Sequence, residues 1–349
     1  MTVPADHNRM QKSRFRPAWW LRNRHAQTIY PALPWARPTR VALRSQELDL
    51  PDGDMTVVDW LVEAPDEAGG LPLLVILHGL ESSAEASYAQ MLLAKARDAG
   101  WNACVLHFRD CGDYRNRLPR RYHAGETNDI RYFLETLVTN GQSGPICAAG
   151  YSLGGNVLLK YLGEDGSTTP LCAAAAVSVP LDLAICAKSL NIGFSKVYQR
   201  HLLQRMKQAA ARKFDQHTAA FDWHRAMKAK TFAEFDDAVT APLHGFNGID
   251  DYYGGCSSGT FLHSIECPTL IANSLDDPFM SPDVIPSPDI VPECISIELS
   301  DAGGHVGFIE GGSPFNPRYF LPGRILEFLR THVDETGAAE SAKNAPDSN

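Results

Sequence analysis

The sequence has few cysteines, and they are widely spaced. Its 349 residues include 8 cysteines, and no two of them have the C-x-x-C spacing of a zinc or redox site. So few cysteines cannot form the dense disulfide network of a small secreted protein, and they favour a reducing compartment. We therefore expect a cytoplasmic protein that needs no structural metal.

The sequence also lacks a long apolar run. Its longest apolar stretches, among them residues 71–77 and 171–179, are far shorter than the roughly 18 residues of a membrane-spanning helix. Residues 1–14 are polar and lack the apolar segment of a secretory signal. We therefore expect no integral membrane segment and no export.

An excess of positive charge is absent as well. Lysine and arginine total 32 against 41 aspartates and glutamates, so the net charge is −9. This balance provides no general attraction for nucleic acid, and we expect no nucleic-acid partner. With 44% hydrophobic and 21% charged residues, the composition is that of an ordinary globular protein. The length allows two domains or one large α/β unit.

Short apolar runs alternate with amphipathic segments along much of the chain. Residues 41–64 contain two alternating segments around a turn at 51–54, which predicts a leading β-hairpin. Nearly continuous apolar runs, typical of strands buried in a parallel sheet, follow at residues 73–77, 103–108, 146–149 and 171–179. In the segments between these runs, apolar residues recur at helical spacing. The pattern predicts an α/β fold with a mostly parallel central sheet and flanking helices.

The alternation pauses between residues 181 and 259. This segment contains a predicted long helix at 195–214, and we interpret it as a helical lid inserted between the sixth and seventh core strands. The basic residues of that helix fit a solvated outer face, and we assign them no ligand. Tyr252 and Tyr253 can dock the lid onto the core or line an acyl pocket.

The chain is thus predicted to have one core, interrupted by the lid and flanked by two loose ends. An unstructured N-terminus at residues 1–13 precedes the first part of the core at 14–180. The lid at 181–259 is followed by the second part of the core at 260–333 and an unstructured tail at 334–349. The two ends contain too little apolar surface to offset the entropy of ordering.

A serine turn is the most informative short segment. Residues 150–154 match G-x-S-x-G between a predicted strand and a predicted helix. Glycines on both sides of Ser152 remove Cβ atoms that would collide in so sharp a turn. The hydroxyl then lies at a helix N-terminus, where the amide of Leu153 can donate to a developing oxyanion. The pentapeptide alone can occur by chance in a glycine-rich loop, so the rest of the sequence must decide.

A serine nucleophile needs a base and an acid that orients the base, and both are expected further along the chain. His305 lies in a glycine-rich loop after the last predicted strand, where it can reach the C-terminal edge of the sheet. Asp276 and Asp277 follow the predicted strand at 269–272, and only one of them can point at the imidazole. The extended conformation preferred before Pro278 favours Asp277, but this geometric argument leaves Asp276 open.

A second oxyanion loop is predicted after an early strand, at residues 78–81. We expect the amide of Leu80 to donate to the oxyanion, with Gly79 allowing close approach. His78 precedes the nucleophile in the chain, so we expect it to fix this loop through backbone hydrogen bonds instead of serving as the base. All four motifs occur in the order that a Ser-Asp-His hydrolase requires.

Longer motifs resemble those of a known family. They lie at residues 24–29, 78–81, 117–127, 150–156, 235–237, 242–246, 251–253, 276–279 and 304–308. Through them nearly the whole ordered chain is similar to the YheT-like esterases, a branch of the α/β-hydrolase superfamily related to eukaryotic α/β-hydrolase-domain proteins. The resemblance implies a triad of Ser152, Asp277 and His305, activity on esters with short or medium acyl chains, and neither a metal nor an organic cofactor.

Two positions depart from the usual pattern of that family. Ser82 and Asp110 stand where glycine is usual, which leaves the loop shape near the oxyanion turn open. The eukaryotic relatives often carry an N-terminal membrane anchor, and we do not carry that attachment over. The polar cluster of His123, Glu126 and Asp129 is expected to pin a loop.

The sequence therefore predicts a serine carboxylic-ester hydrolase, with a small-molecule ester as its substrate and an acyl-enzyme as its intermediate. An alcohol acyltransferase or a thioesterase with the same triad is the alternative. A non-catalytic ligand-binding protein of the same fold is a further alternative.

Overall fold

The computed structural model describes residues 9–36, 38, 40–62 and 70–343. Its strands are β1 (Met10–Lys12), β2 (Leu43–Asp49), β3 (Met55–Leu61), β4 (Leu73–Leu77), β5 (Asn102–Leu106), β6 (Ile146–Tyr151), β7 (Leu171–Val177), β8 (Thr269–Ser274), β9 (Ile295–Ser300), β10 (Ile309–Ser313) and β11 (Asn316–Tyr319). Its α-helices are α1 (Arg24–Ile29), α2 (Ser87–Asp98), α3 (Asn128–Thr139), α4 (Leu153–Asp165), α5 (Leu183–Ser189), α6 (Ser195–Lys213), α7 (Trp223–Lys228), α8 (Phe232–Phe235), α9 (Ala241–Leu243), α10 (Ile249–Cys256) and α11 (Leu321–Lys343). None of these helices is long and apolar enough to cross a membrane, as far as the described residues go.

A central sheet organises the molecule. Within the described part of the chain it has nine strands, in the order β1-β9-β8-β7-β6-β4-β5-β3-β2. The first seven strands in this spatial order, β1 through β5, each pair in parallel with their neighbours. The last two strands are antiparallel, because β3 pairs antiparallel with both β5 and β2. Every residue of β4, β5 and β6 is buried, as expected for continuous apolar strands. The predicted mostly parallel sheet with its leading hairpin, β2 and β3, is confirmed.

Helices cover both faces of the sheet. Apolar residues of α3 and α4, such as Phe133 and Leu158, pack in a cluster on one face, and residues of α2 and α11, such as Leu92 and Ile325, pack on the other. Removal of these side chains from water is the main favourable contribution to such a layered core. The loops after the parallel strands all lie at the C-terminal edge of the sheet, where α/β folds bind ligands.

A helical insertion, residues 181–259, lies between β7 and β8 and contains α5 to α10. A π-helical turn, Asp236–Thr240, joins α8 to α9. The insertion has an apolar cluster of its own, in which Leu203 and Met206 of α6 lie with Phe235 and the π-helical turn. This second cluster lets the insertion form a layer distinct from the sheet.

The N-terminal end differs from the predicted unstructured segment. Residues 1–8 lie outside the described residues, but Met10–Lys12 form β1, which pairs in parallel with β9. Backbone hydrogen bonds to a neighbouring strand need no apolar side chain, so a polar segment can join a sheet edge. The prediction that residues 9–13 are unstructured is therefore wrong.

The C-terminal end differs as well. Residues 344–349 lie outside the described residues, but α11 continues through residues 334–343. Ala, Glu and Lys in this segment are strong helix formers, and they extend a helix that is already formed by packing of its first turns on the core. The prediction of an unstructured tail is wrong for these ten residues.

Candidate active site

Ser152 lies in the sharp turn between β6 and α4. Its backbone has a φ of 53° and a ψ of −117°, which is a strained conformation for a residue with a Cβ atom. A Cβ on Gly150 would lie 2.4 Å from the carbonyl oxygen of Gly154, and a Cβ on Gly154 would lie 2.4 Å from that of Leu77. The flanking glycines are thus required by close backbone packing, as the motif predicts.

His305 reaches Ser152 from the loop after β9. Nε2 of His305 lies 2.9 Å from Ser152 Oγ, and Nδ1 of His305 lies 2.8 Å from Oδ2 of Asp277. When Nδ1 carries the proton and donates to the carboxylate, Nε2 is free to accept the proton of the hydroxyl. The structure therefore places the three residues of the predicted triad in one hydrogen-bonded chain.

The two adjacent aspartates have different partners. Asp277 is only 2% exposed, and its Oδ1 accepts the N–H of Phe279 at 2.8 Å, so that Oδ2 faces His305. Asp276 accepts the N–H of Gly304 at 3.0 Å. One carboxylate thus contacts the imidazole, and the other holds the loop that carries it.

Three further contacts hold His305 in place. The N–H of His305 donates to Thr28 Oγ1 at 2.9 Å, and the N–H of Val306 donates to Ser178 Oγ at 3.0 Å. The ring of Phe279 stacks on the imidazole, with ring centres 3.9 Å apart and planes inclined by 3°. No local sequence pattern predicts any of these three contacts. Thr28 belongs to one of the quoted motifs, but 277 residues separate it from its partner.

The two predicted oxyanion donors lie at the same cavity. Leu80 and Leu153 line it together with Ser152 and His305. Among the described residues, no acceptor takes a hydrogen bond from the N–H of Leu80 or of Leu153. Both groups are therefore available to donate to a substrate oxygen.

His78 has the loop-fixing role that its place in the chain predicts. Its Nδ1 lies 2.8 Å from the carbonyl oxygen of Gly79, and its Nε2 accepts the N–H of Phe108 at 3.2 Å. Burial, and secondarily the nearby His107, lower the pKa of His78 to about 3. The ring therefore stays neutral and ties the loop at residues 78–81 to the segment that follows β5.

The two departures from the family pattern have different structural consequences. Asp110 has a φ of 64°, a conformation in which glycine is unstrained, and its carboxylate accepts a hydrogen bond from Arg121 Nε at 2.7 Å. Ser82 has no positive φ, and its Oγ accepts the hydroxyl of Tyr88 at 2.9 Å. That tyrosine hydroxyl in turn accepts the N–H of Gly79 at 2.8 Å. Side-chain hydrogen bonds thus support the loop at both positions.

An apolar cavity extends from Ser152 beneath the helical insertion. The empty space in this region, open solvent at its mouth included, amounts to about 1010 Å³. Most of its wall is apolar and includes Leu190, Met206 and Val239 of the insertion. The cavity can therefore hold an apolar chain beside the serine hydroxyl.

Asp236, in the π-helical turn, is a buried carboxyl in the wall of this cavity. Burial raises its pKa to about 6, although Thr240 Oγ1 and the Tyr253 hydroxyl donate to it at 2.7 and 2.9 Å. Tyr252 and Tyr253 both line the cavity, and the hydroxyl of Tyr252 accepts the N–H of Ala124 at 3.0 Å. Tyr252 therefore docks the insertion onto the core, Tyr253 holds Asp236 within the insertion, and both tyrosines line the pocket.

The predicted polar cluster pins its loop through arginines. Glu126 pairs with Arg120, and Asp129 accepts two hydrogen bonds from Arg109, at 2.8 and 2.6 Å. His123 lines the cavity, and burial followed by the charge of Arg120 lowers its pKa to about 3. No group of three or more His, Cys, Asp or Glu side chains in the described ranges is arranged to hold a metal ion.

Comparison with known proteins classifies the chain. Residues 72–312 match the family model of the alpha/beta hydrolase fold. The chain belongs to this family. A protein of Escherichia coli (strain K12) named "Putative esterase YheT" is 40% identical to this α/β hydrolase over 333 residues, which are 95% of this chain and 97% of that one. The resemblance to the YheT-like branch is thereby confirmed.

Two further comparisons reach more distant proteins. Human "Phospholipase ABHD3" is 30% identical to this α/β hydrolase over 328 residues, which are 90% of this chain and 78% of that one. The solved structure of the Pyrococcus furiosus esterase Pf2001 superposes with a TM-score of 0.54 at 15% identity, and the match covers 85% of this chain and 97% of that one. At such low identity the structural match shows the shared fold alone.

Proposed function

We propose that this α/β hydrolase is a serine carboxylic-ester hydrolase of the esterase and lipase type. The proposal rests on the hydrogen-bonded chain in which His305 lies 2.9 Å from the Ser152 hydroxyl and 2.8 Å from the Asp277 carboxylate. Relatives named as an esterase and a phospholipase support an ester as the substrate.

In the proposed reaction, Ser152 Oγ attacks the acyl carbonyl while Nε2 of His305 accepts its proton. Asp277 orients the imidazole and stabilises its cationic form. The N–H groups of Leu80 and Leu153 donate to the oxyanion of the tetrahedral intermediate. The imidazolium then protonates the leaving alcohol, and a water molecule deprotonated by His305 releases the acid from the acyl-enzyme.

The proposed substrate is an uncharged ester with a short or medium acyl chain. The mostly apolar wall of the cavity favours a hydrocarbon chain, and residues 181–259 act as the lid over it. In this proposal the core consists of the residues before and after the insertion. The cytoplasmic location stays a prediction from the sequence.

Acyl-chain profiling with p-nitrophenyl esters, from acetate to palmitate, tests this proposal. We expect turnover with an initial burst where deacylation is slow, and covalent labelling by a fluorophosphonate. The Ser152→Ala variant should lose both, whereas the nearby hydroxyl variant Ser83→Ala should keep both. A wild-type protein that neither turns over any ester nor reacts with the probe would contradict the proposal. Reaction with an acyl-thioester donor in mixed water and ethanol separates hydrolysis from acyl transfer. If the ethyl ester is the main product, the proposed activity changes from ester hydrolysis to acyl transfer.

A further inference from the structure

The charge of the chain is unevenly distributed. Residues 181–230 contain ten lysines and arginines but only three aspartates and no glutamate, although the whole chain has a net charge of −9. The remainder of the molecule is therefore strongly acidic. The net charge of the whole chain therefore does not show that the helical insertion contains a positive region.

Four of these cations line a surface groove beside α6. Lys196, Arg200 and Lys207 follow one another at helical spacing, and Lys230 lies at the same groove. Lys196, Arg200 and Lys230 are exposed, and no carboxylate of the described residues forms an ion pair with them. Lys207 is held by the carbonyl oxygens of Met227 and Ala229. The carboxylate of Glu234 accepts the backbone N–H of Lys230 at 2.6 Å, which places a negative charge at that end of the groove. Lys196 and Arg200 therefore carry the two positive charges of the groove that face solvent away from this carboxylate.

Three large apolar side chains are exposed at the start of the same helix. Ile192, Phe194 and Val197 are 69%, 48% and 54% exposed. They are neighbours of Lys196 and Arg200 along the chain, and with 3.6 residues per helical turn Val197 lies roughly 60° from Arg200 around the exposed side of α6. We refer to these five residues together with Lys207 and Lys230 as the basic face.

The basic face adjoins the candidate active site. The ring of Phe194 lies 5.7 Å from that of Tyr198, and Tyr198 lies 5.1 Å from Phe279, which stacks on His305. An unbroken series of ring contacts therefore joins the exposed patch to the histidine. A surface that covers the basic face would lie next to the cavity.

We propose that the basic face docks on an anionic lipid bilayer. Exposed apolar side chains beside lysine and arginine are the combination that binds the headgroup region of such a bilayer. Nucleic acid would match the cations but would leave Ile192, Phe194 and Val197 without an apolar partner. The acidic remainder of the molecule is repelled by the same bilayer, which fixes the orientation of docking. This inference goes beyond the proposed function and does not depend on it.

Co-sedimentation with lipid vesicles tests the docking. The full chain should bind vesicles of mixed phosphatidylglycerol and phosphatidylcholine, bind weakly to phosphatidylcholine alone, and dissociate in high salt. Each cation near an anionic surface strengthens partitioning about fivefold, so Lys196→Gln/Arg200→Gln should weaken it about 25-fold. Ile192→Ser/Val197→Ser should also weaken it. The control Arg44→Gln/Lys95→Gln removes two exposed cations elsewhere and should bind like the wild type.

Turnover of p-nitrophenyl butyrate in solution distinguishes this inference from the proposed function. All three double variants should retain it, and Ser152→Ala should lose it while still binding vesicles. Equal binding to both vesicle types would overturn the inference, as would unaltered binding by Lys196→Gln/Arg200→Gln. Binding to duplex DNA without binding to anionic vesicles would also overturn it in favour of a nucleic-acid partner.

Discussion

Replacement of Asp277 by asparagine should nearly abolish turnover. Oδ1 of Asp277 is held by the N–H of Phe279, so the NH2 group of the new side-chain amide would take the place of Oδ2, which lies 2.8 Å from His305 Nδ1. An NH2 group there donates to Nδ1 and leaves the proton on Nε2, which then cannot accept the proton of Ser152. With the loss of the carboxylate charge, kcat should fall by about 10³ to 10⁴, or about 4 to 5 kcal/mol.

The same replacement at Asp276 should have a small effect. Oδ1 of Asp276 accepts hydrogen bonds from the Ser274 hydroxyl and, at 3.0 Å, from the N–H of Gly304. The amide oxygen of asparagine can accept both, so the two bonds are weakened and neither is lost. Such a bond contributes about 0.5 to 1.5 kcal/mol, which limits the loss of kcat to about tenfold. Steady-state turnover of p-nitrophenyl butyrate compares Asp276→Asn with Asp277→Asn, and urea unfolding checks that both fold. Equal losses, or a larger loss in Asp276→Asn, would refute the assignment of Asp277 as the partner of the imidazole.

Three predictions concern stability and the serine turn. Burial raises the pKa of Asp236 from 3.8 to about 6, so the folded state retains a proton that the unfolded chain releases between these pH values. The free energy of unfolding measured with urea should thus fall by roughly 3 kcal/mol as pH rises through this window, and Asp236→Asn should remove that part of the slope. Arg109→Met leaves the buried carboxylates of Asp54 and Asp129 without their cation, so it should lower the free energy of unfolding in urea by about 3 to 5 kcal/mol. Arg117→Met, at a half-exposed side chain, should lower it by less than about 1 kcal/mol. Gly154→Ala, whose Cβ would clash with backbone, should abolish turnover, but Gly254→Ala, which meets nothing within 4 Å, should not.

The order of strands and helices could be predicted because buried parallel strands are continuous apolar runs. The runs at 73–77 and 146–149 correspond to β4 and β6. Strand β1 could not be predicted in this way, because its three residues are mostly polar and its register depends on β9. Pairing partners that lie far apart along the chain leave no local pattern.

The candidate site could be predicted as far as local motifs extend. Ser152 and His305 each lie in a glycine-rich turn with a recognisable position in the chain, but the choice between Asp276 and Asp277 needed the family resemblance or the structure. The burial of Asp236 could not be foreseen, because Asp237 beside it has the same chemistry and only the tertiary fold distinguishes them. The positive region of the insertion was concealed by the net charge.

Strand β1 also affects how the protein behaves at high concentration. An uncovered sheet edge recruits strands from other molecules, and β9 would present six residues for such pairing if β1 were removed. With β1 in place, the outermost strand has three residues, too short a template for stable association. At the opposite edge, β2 carries charges such as Arg44 and Glu47 that resist a new partner. Deletion of the residues before Arg14 should therefore promote aggregation during expression, because it removes β1 and uncovers β9.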